Sequence, residues 1–326
     1  MKSDSSVTPE SLPEALTNTT DDAMLAPMLA HSGYVAVIGR PNVGKSTLMN
    51  RILGEKIAIV SPKPQTTRLR QLGILTQDDL QAIFVDTPGI HEPRHKLGEF
   101  MVGVAVDALR DADMILFVVD LSQLPHEEDR RVAALLQEAR TGAPVLLALN
   151  KLDLLAPDKI VPHVDAYRAL VPDADWVTLS ATQDRGVDDV LGRVIAGLPA
   201  GPQFFPEDQL SDTQMRDIAA EIIREKVLLN TDQEVPHAVA VEVQEYKERT
   251  ETLTYIGANI FVERDSQKGI LIGKGGTMLK RISTEARADL EKLVGTQVYL
   301  ELWVKVLKDW RRDEAKLRRF GYKIGK

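Results

Sequence analysis

An eight-residue run, Gly39-Arg40-Pro41-Asn42-Val43-Gly44-Lys45-Ser46, has the residue types and spacing to hold a polyphosphate. It satisfies G-x-x-x-x-G-K-[ST] at every fixed position. Gly39 and Gly44 allow a backbone path that a side chain would obstruct. Lys45 is long enough to reach β- and γ-phosphate oxygens, and Ser46 can give an oxygen to Mg2+. Residues 34–38 are a short β-favouring run, and residues 47–53, from Thr47 on, are a helical pattern. Strand, glycine-rich turn and helix together point backbone N–H groups at an anion.

A triphosphate site also needs a metal corner and a γ-phosphate sensor. Residues 56–70 contain two prolines and many polar groups, which argues for an ordered loop that folds over the nucleotide. Thr66 and Thr67 are both candidates to complete the Mg2+ shell, and we favour Thr67. Residues 68–75 and 80–85 read as antiparallel strands about a turn at Gln77-Asp78-Asp79. The second runs into Asp86-Thr87-Pro88-Gly89. Asp86, at the carboxyl end of its strand, is placed to hold Mg2+ through water, and the Gly89 N–H to approach the γ-phosphate. His91, Arg94, His95 and Lys96 read as polar loop residues rather than a general base, and Ile90 has no group to orient a water.

The elements that must position these groups follow in the order of an open α/β sheet. Residues 114–120 and 144–149 are nearly continuous apolar runs, as in central parallel strands covered on both faces, with a helix over 127–139 between them. The second run leads into Asn150-Lys151-Leu152-Asp153. A carboxylate at Asp153 accepts from N1–H and the 2-amino group of guanine, two donors that adenine lacks. Asn150 can tie the base to the loop, and the Lys151 stem can cover its face. A strand at 176–179 ends in Ser180-Ala181, whose backbone is placed for guanine O6, and 186–198 reads as a closing helix.

Beyond Pro199, Gly201, Pro202 and Pro206 the pattern changes. A helix is expected over 212–229, strands over 235–246 and 252–263, then two helical patterns around Gly273-Lys274-Gly275-Gly276, and a third strand over 297–306. The tetrad at a helix junction can clamp a single-stranded nucleic-acid backbone, with Lys274, Lys280 and Arg281 adding charge and Ile270 and Ile272 lining a groove for bases. Residues 263–326 hold 16 basic against 9 acidic side chains, whereas residues 1–262 hold 24 against 39. A basic end on an acidic chain suggests a polyanion surface. The chain has no cysteine, so disulfides and thiolate chemistry are excluded. No apolar run nears 18 residues and no secretory signal is expected at the N-terminus.

The motifs GRPNVGKS, PQTTR, DTPG, NKLD and SA resemble, in order, the G motifs of the translational P-loop GTPases. The resemblance implies GTP and GDP as ligands, Mg2+ dependence and two switch regions. Asn42 and the apolar Ile90 look like the branch stimulated by monovalent cations, which makes Asn42 a candidate K+ contact. The α-β-β-α-α-β order around the tetrad is similar to a type II KH domain. Together the two halves look like the Era family of bacterial ribosome-assembly GTPases. Lys308-Asp309-Trp310-Arg311 strengthens that likeness.

The expected architecture is an α/β P-loop GTPase domain with a mixed, mostly parallel sheet, followed by an α+β KH domain. The expected boundaries are 1–32 for a flexible extension, 33–200 for the G domain, 201–210 for a linker and 211–326 for the KH domain with a basic C-terminal helix. Lys45, Thr67 and Gly89 are the residues expected to act on the γ-phosphate. The resemblance implies binding near the 3′ end of 16S-type rRNA, assembly of the 30S subunit and, in some relatives, peripheral contact with the cell membrane; the expected state is a monomer and the expected location cytoplasmic. The competing reading is a GTPase regulator at a membrane or on another RNA, with the C-terminal domain an interaction module. An ATP-driven enzyme conflicts with Asp153.

Overall fold

The computed structural model describes residues 28–322, except 64, 91, 94, 140 and 141. Most of the expected extension, along with His91 and Arg94, lies outside the described residues. The chain order is β1 (Met28–Leu29), β2 (His31–Ile38), α1 (Lys45–Leu53), β3 (Gln71–Gln77), β4 (Leu80–Asp86), α2 (Lys96–Arg110), β5 (Met114–Asp120) and α3 (Glu127–Ala139). Then come β6 (Val145–Asn150), α4 (Ile160–Arg168), β7 (Asp175–Thr178), α5 (Val187–Gly197) and β8 (Gly201–Pro202). β2 to β7 form a six-stranded sheet of order β3-β4-β2-β5-β6-β7, in which only the β3–β4 pair is antiparallel.

Each face of this sheet has its own core. Val37, Leu116 and Leu146 pack on one side with Leu48 of α1 and Val190 of α5. Ile38, Phe117 and Leu147 pack on the other with Leu109 of α2 and Val132 of α3. All seven residues of β5 are buried, which is why its sequence shows no alternation. The catalytic-side loops leave the carboxyl ends of these parallel strands, where an open α/β sheet collects its ligands.

The second half contains α6 (Met215–Asn230), α7 (Val235–Ala238), β9 (Ala240–Thr250), β10 (Leu253–Val262), α8 (Asp265–Ile272), α9 (Thr277–Val294), β11 (Gln297–Val306) and α10 (Glu314–Arg319). The sheet order is β11-β10-β9, with β10–β9 antiparallel and β10–β11 parallel. Ile223 of α6, Leu271 of α8 and Ile282 of α9 cover one face together with Ile256 and Ile260. Among the described residues no helix is long and apolar enough to cross a membrane.

Three expectations need correction. Residues 235–238 are a helical turn rather than the start of a strand, because Pro236 sits at its first turn, where a missing N–H costs nothing. The region expected as extension up to residue 32 already contains β1 and the start of β2, and β1 pairs antiparallel with β8. The stretch 201–210 is not a free linker. Phe204 and Phe205 N–H groups donate to Gln81 Oε1 at 2.7 and 2.9 Å, and Ile74 N–H donates to Leu210 O at 2.9 Å.

The two halves share a core of their own. Leu97, Phe100 and Met101 of α2 pack against Phe261, Trp310 and Tyr322. Arg68, expected in a strand, instead turns into this interface at 1% exposure. Its guanidinium donates to Val239 O at 2.5 Å, His237 O at 3.2 Å and Pro236 O at 3.3 Å, and lies over the Trp310 ring.

Candidate functional site

The phosphate loop leaves β2 and ends at the first turn of α1. Gly44, at φ 104°, precedes that turn, and a Cβ there would lie 2.3 Å from Asn150 Nδ2. Lys45 Nζ donates to Gly39 O and Arg40 O at 3.2 and 3.1 Å, spanning the loop from inside. Burial pulls the Lys45 ammonium down to about 8, partly opposed by Asp86. Phosphate oxygens would restore its charge. GTP binding therefore takes up a proton above about pH 8, and affinity should fall there by up to about tenfold per pH unit. Calorimetry in two buffers of different ionisation enthalpy measures that uptake, which Lys45→Met should remove.

The metal corner is built from three oxygen-bearing side chains. Asp86 Oδ2 accepts from Ser46 Oγ at 2.6 Å and Thr67 Oγ1 at 3.2 Å, and the two hydroxyls are 3.1 Å apart. Asp86 Oδ1 is buried with no protein partner, and burial pushes its carboxyl up against the pull of Lys45. Converging hard oxygens with one unsatisfied carboxylate oxygen suit Mg2+. Thr66 does not join them: its hydroxyl donates to Lys63 O at 2.6 Å within its own loop. Of the two candidate threonines, Thr67, the favoured one, is the one beside Ser46 and Asp86. Across the site Gly89 approaches the loop so closely that a Cβ would lie 2.7 Å from Pro41 Cα.

Asn42, the candidate K+ contact, donates from Nδ2 to Pro62 O at 2.8 Å and so ties the phosphate loop to the loop above it. Arg40 is pinned at 3.0 Å to Asp129 of α3. Pro41 and Val43 complete the loop between these groups, and Thr47 stands in the first turn of α1.

At the base loop, Asn150 serves the scaffold. Its Nδ2 donates to Val43 O at 2.9 Å, and its Oδ1 accepts from Ala181 N–H at 3.0 Å. Of the Ser180-Ala181 backbone expected near guanine O6, the Ala181 N–H is thus bonded to Asn150. Ser180 N–H and O pair with Arg185. Lys151, at φ 66°, donates from Nζ to Asp120 Oδ2 at 2.8 Å. Asp153 Oδ1 is buried without a partner, an acceptor awaiting a donor. Asp120 was missed by sequence reasoning, though it ends an apolar strand just as Asp86 does. Burial raises its carboxyl, but Lys151 and Ser122 donors outweigh this and hold it below the usual range.

The second candidate site is the 273–276 turn between α8 and α9. Gly273, Gly275 and Gly276 all have positive φ, and Lys274, Lys280 and Arg281 are exposed around them. Arg281 pairs with Glu285 one turn on at 3.0 Å. Ile270 is 51% exposed beside the turn, while Ile272 packs partly against the core. An apolar side chain bare to solvent next to exposed cations and open backbone can take a single-stranded base and its phosphate.

Known proteins resemble both sites. A family described as 50S ribosome-binding GTPase matches residues 34–151, and one described as KH domain matches residues 234–311. GTPase Era of Ruminiclostridium cellulolyticum is 50% identical over 295 residues, covering 90% of this chain and 98% of that protein. A crystal structure of Era in complex with MgGDPNP and nucleotides 1506–1542 of 16S ribosomal RNA is 40% identical. It covers 90% of this chain and 99% of that chain, with a TM-score of 0.86. A variant of Aquifex aeolicus Era bound to GDP and aluminium fluoride is likewise 40% identical, over 90% of this chain and all of that chain, with a TM-score of 0.85.

Proposed function

The chain belongs to the Era family of GTPases, and from that premise we propose that it binds the 3′ end of 16S-type rRNA and assists 30S subunit maturation under the control of bound GTP. It hydrolyses GTP to GDP and phosphate, with Mg2+ as cofactor. In our reading Lys45 and the loop N–H groups hold the β- and γ-phosphates, and Thr67 and Gly89 present N–H groups to the γ-phosphate. Ser46, Thr67 and, through water, Asp86 hold Mg2+, which when bound neutralises charge on the phosphate oxygens. Water attacks phosphorus in line, and the bond to the β-phosphate oxygen breaks. No side chain is assigned as base. Ile90 is apolar and buried, and His95 accepts from Arg311 Nη1 at 3.5 Å in the other domain. A K+ ion at Asn42 belongs to the same proposal, tested by comparing hydrolysis in K+ and Na+. So does a cytoplasmic location, with the basic C-terminal segment as a route to peripheral membrane contact.

The RNA half rests on the open, cation-flanked 273–276 turn. A Cβ on Gly275 meets nothing within 4 Å, and Asp tolerates its φ of 61° better than most residues. Gly275→Asp should therefore fold, repel phosphate and weaken binding of a 16S 3′-end oligonucleotide by about tenfold or more. GTP affinity should stay the same. Unchanged RNA affinity in the folded variant would remove the clamp from the reading.

A further inference from the structure

Loop 56–67, which carries the Mg2+ corner's Thr67, is held in place by α6 of the other domain. Arg224 is 1% exposed and donates to Thr66 O and, at 3.5 Å, to Gln65 O. Glu221, one turn back on α6, fixes the guanidinium with bonds of 2.8 and 2.5 Å. Next to Arg224 stands Glu225. It accepts from Val60 N–H at 2.9 Å and from Lys56 Nζ at 2.7 Å, at the start of the same loop. Lys56 Nζ also donates to Asp289 of α9 at 3.0 Å. Adjacent α6 side chains therefore grip the loop near its two ends, and among the described residues no helix or strand lies between α1 and β3.

We infer that Arg224 is a positioning residue for GTP hydrolysis, acting through the peptide that joins Thr66 to Thr67. The warrant is the planarity of that peptide. Its carbonyl and its N–H point in opposite directions, so an arginine holding Thr66 O also orients the Thr67 N–H and the start of the Thr67 side chain. Thr67 Oγ1 already sits 3.1 Å from Ser46 Oγ and 3.2 Å from Asp86 Oδ2. A buried charged donor on one side of a planar unit thus sets the γ-phosphate and metal groups on the other. Arg224 touches neither nucleotide nor metal, and its effect belongs with the supporting contacts that orient metal ligands. The inference rests on Thr67 being the loop's metal ligand, as proposed above.

The test uses the full chain and a fluorescent GTP analogue. Arg224→Ala should raise the Mg2+ concentration needed for half-saturation of the GTP-analogue complex, and lower kcat, by about 10- to 100-fold. GDP affinity in the same preparation should hold within about twofold, since GDP has no γ-phosphate for the loop to reach. Arg224→Lys keeps one donor and should recover part of both effects. It also serves as the variant of record should Arg224→Ala not fold. Thr67→Ala separates the two ideas. If it leaves the Mg2+ dependence unchanged, the Thr67 reading fails and the inference goes with it. If Thr67→Ala shifts the Mg2+ dependence while both folded Arg224 variants behave as wild type, the inference alone is overturned. A parallel loss of GDP and GTP binding would also overturn it, as the mark of a merely structural residue.

Discussion

Asp153→Asn should lower GTP affinity by about 10²- to 10³-fold and make xanthosine triphosphate a substrate. Asp153 Oδ1 is buried and unpartnered, so its full acceptor capacity is reserved for a ligand. Guanine offers two donors, N1–H and the 2-amino group. Replacing one carboxylate oxygen by an amide NH2 sets donor against donor at the 2-amino position. A buried polar group left facing a like group costs several kcal/mol, which is the range given. Xanthine carries a carbonyl at that position and accepts from the new amide. The surrounding frame does not depend on the Asp153 carboxylate: Asn150 ties Val43 to Ala181, and Lys151 reaches Asp120. Competition of GTP, ATP and xanthosine triphosphate against a fluorescent analogue measures the outcome. Wild-type GTP affinity in the folded variant would mean that Asp153 does not read the base.

Arg68→Ala should destabilise the protein by about 3 kcal/mol, with the loss concentrated between the domains. The guanidinium supplies bonds to Val239, His237 and Pro236 carbonyls, all in the segment around α7. Removing it leaves acceptors in a site too buried for easy hydration and opens a gap beneath Trp310. Burial also pulls the Arg68 guanidinium below its ordinary value, partly opposed by Tyr322. Thermal unfolding should shift to lower temperature, and proteolysis near residues 203–214 should accelerate. A variant with an unchanged unfolding curve would show that the shared apolar core alone holds the halves together.

The phosphate loop, the metal carboxylate and the base loop were legible in sequence because each is a short run with fixed spacing, bracketed by apolar strands. β5 and α3 were legible because burial on both faces, or on one helical face, imposes a local pattern. The roles of Arg68, Arg224 and Glu225 were not. Thr66 and Arg224 are 158 residues apart, and nothing near either predicts the meeting. On α6, Glu221 and Arg224 look like an ordinary helical ion pair of the kind found on solvated faces. Thr66 and Thr67 are equal in sequence, and only the path of the loop turns one hydroxyl inward. The 235–238 turn was hidden because the alternating run from Ala238 to Val243 directly after it reads as a strand, and the pattern was carried back across Pro236. Asp120 gave a usable signal, a carboxylate ending an apolar strand, that was applied at Asp86 and not here.

The pairing of β1 with β8 has a mechanical reading. Met28 faces Pro202 and Leu29 faces Gly201, so the chain enters and leaves the first domain through one seam. Ser32 fastens the same place, with its N–H to Pro199 O at 2.8 Å and its hydroxyl to Pro202 O at 2.7 Å. The domain is therefore a closed cassette, and new ends could be cut at a surface loop with the old ones joined. A pull applied at Met28 is therefore delivered to the seam where the chain leaves the first domain, rather than to the far rim of the nucleotide domain.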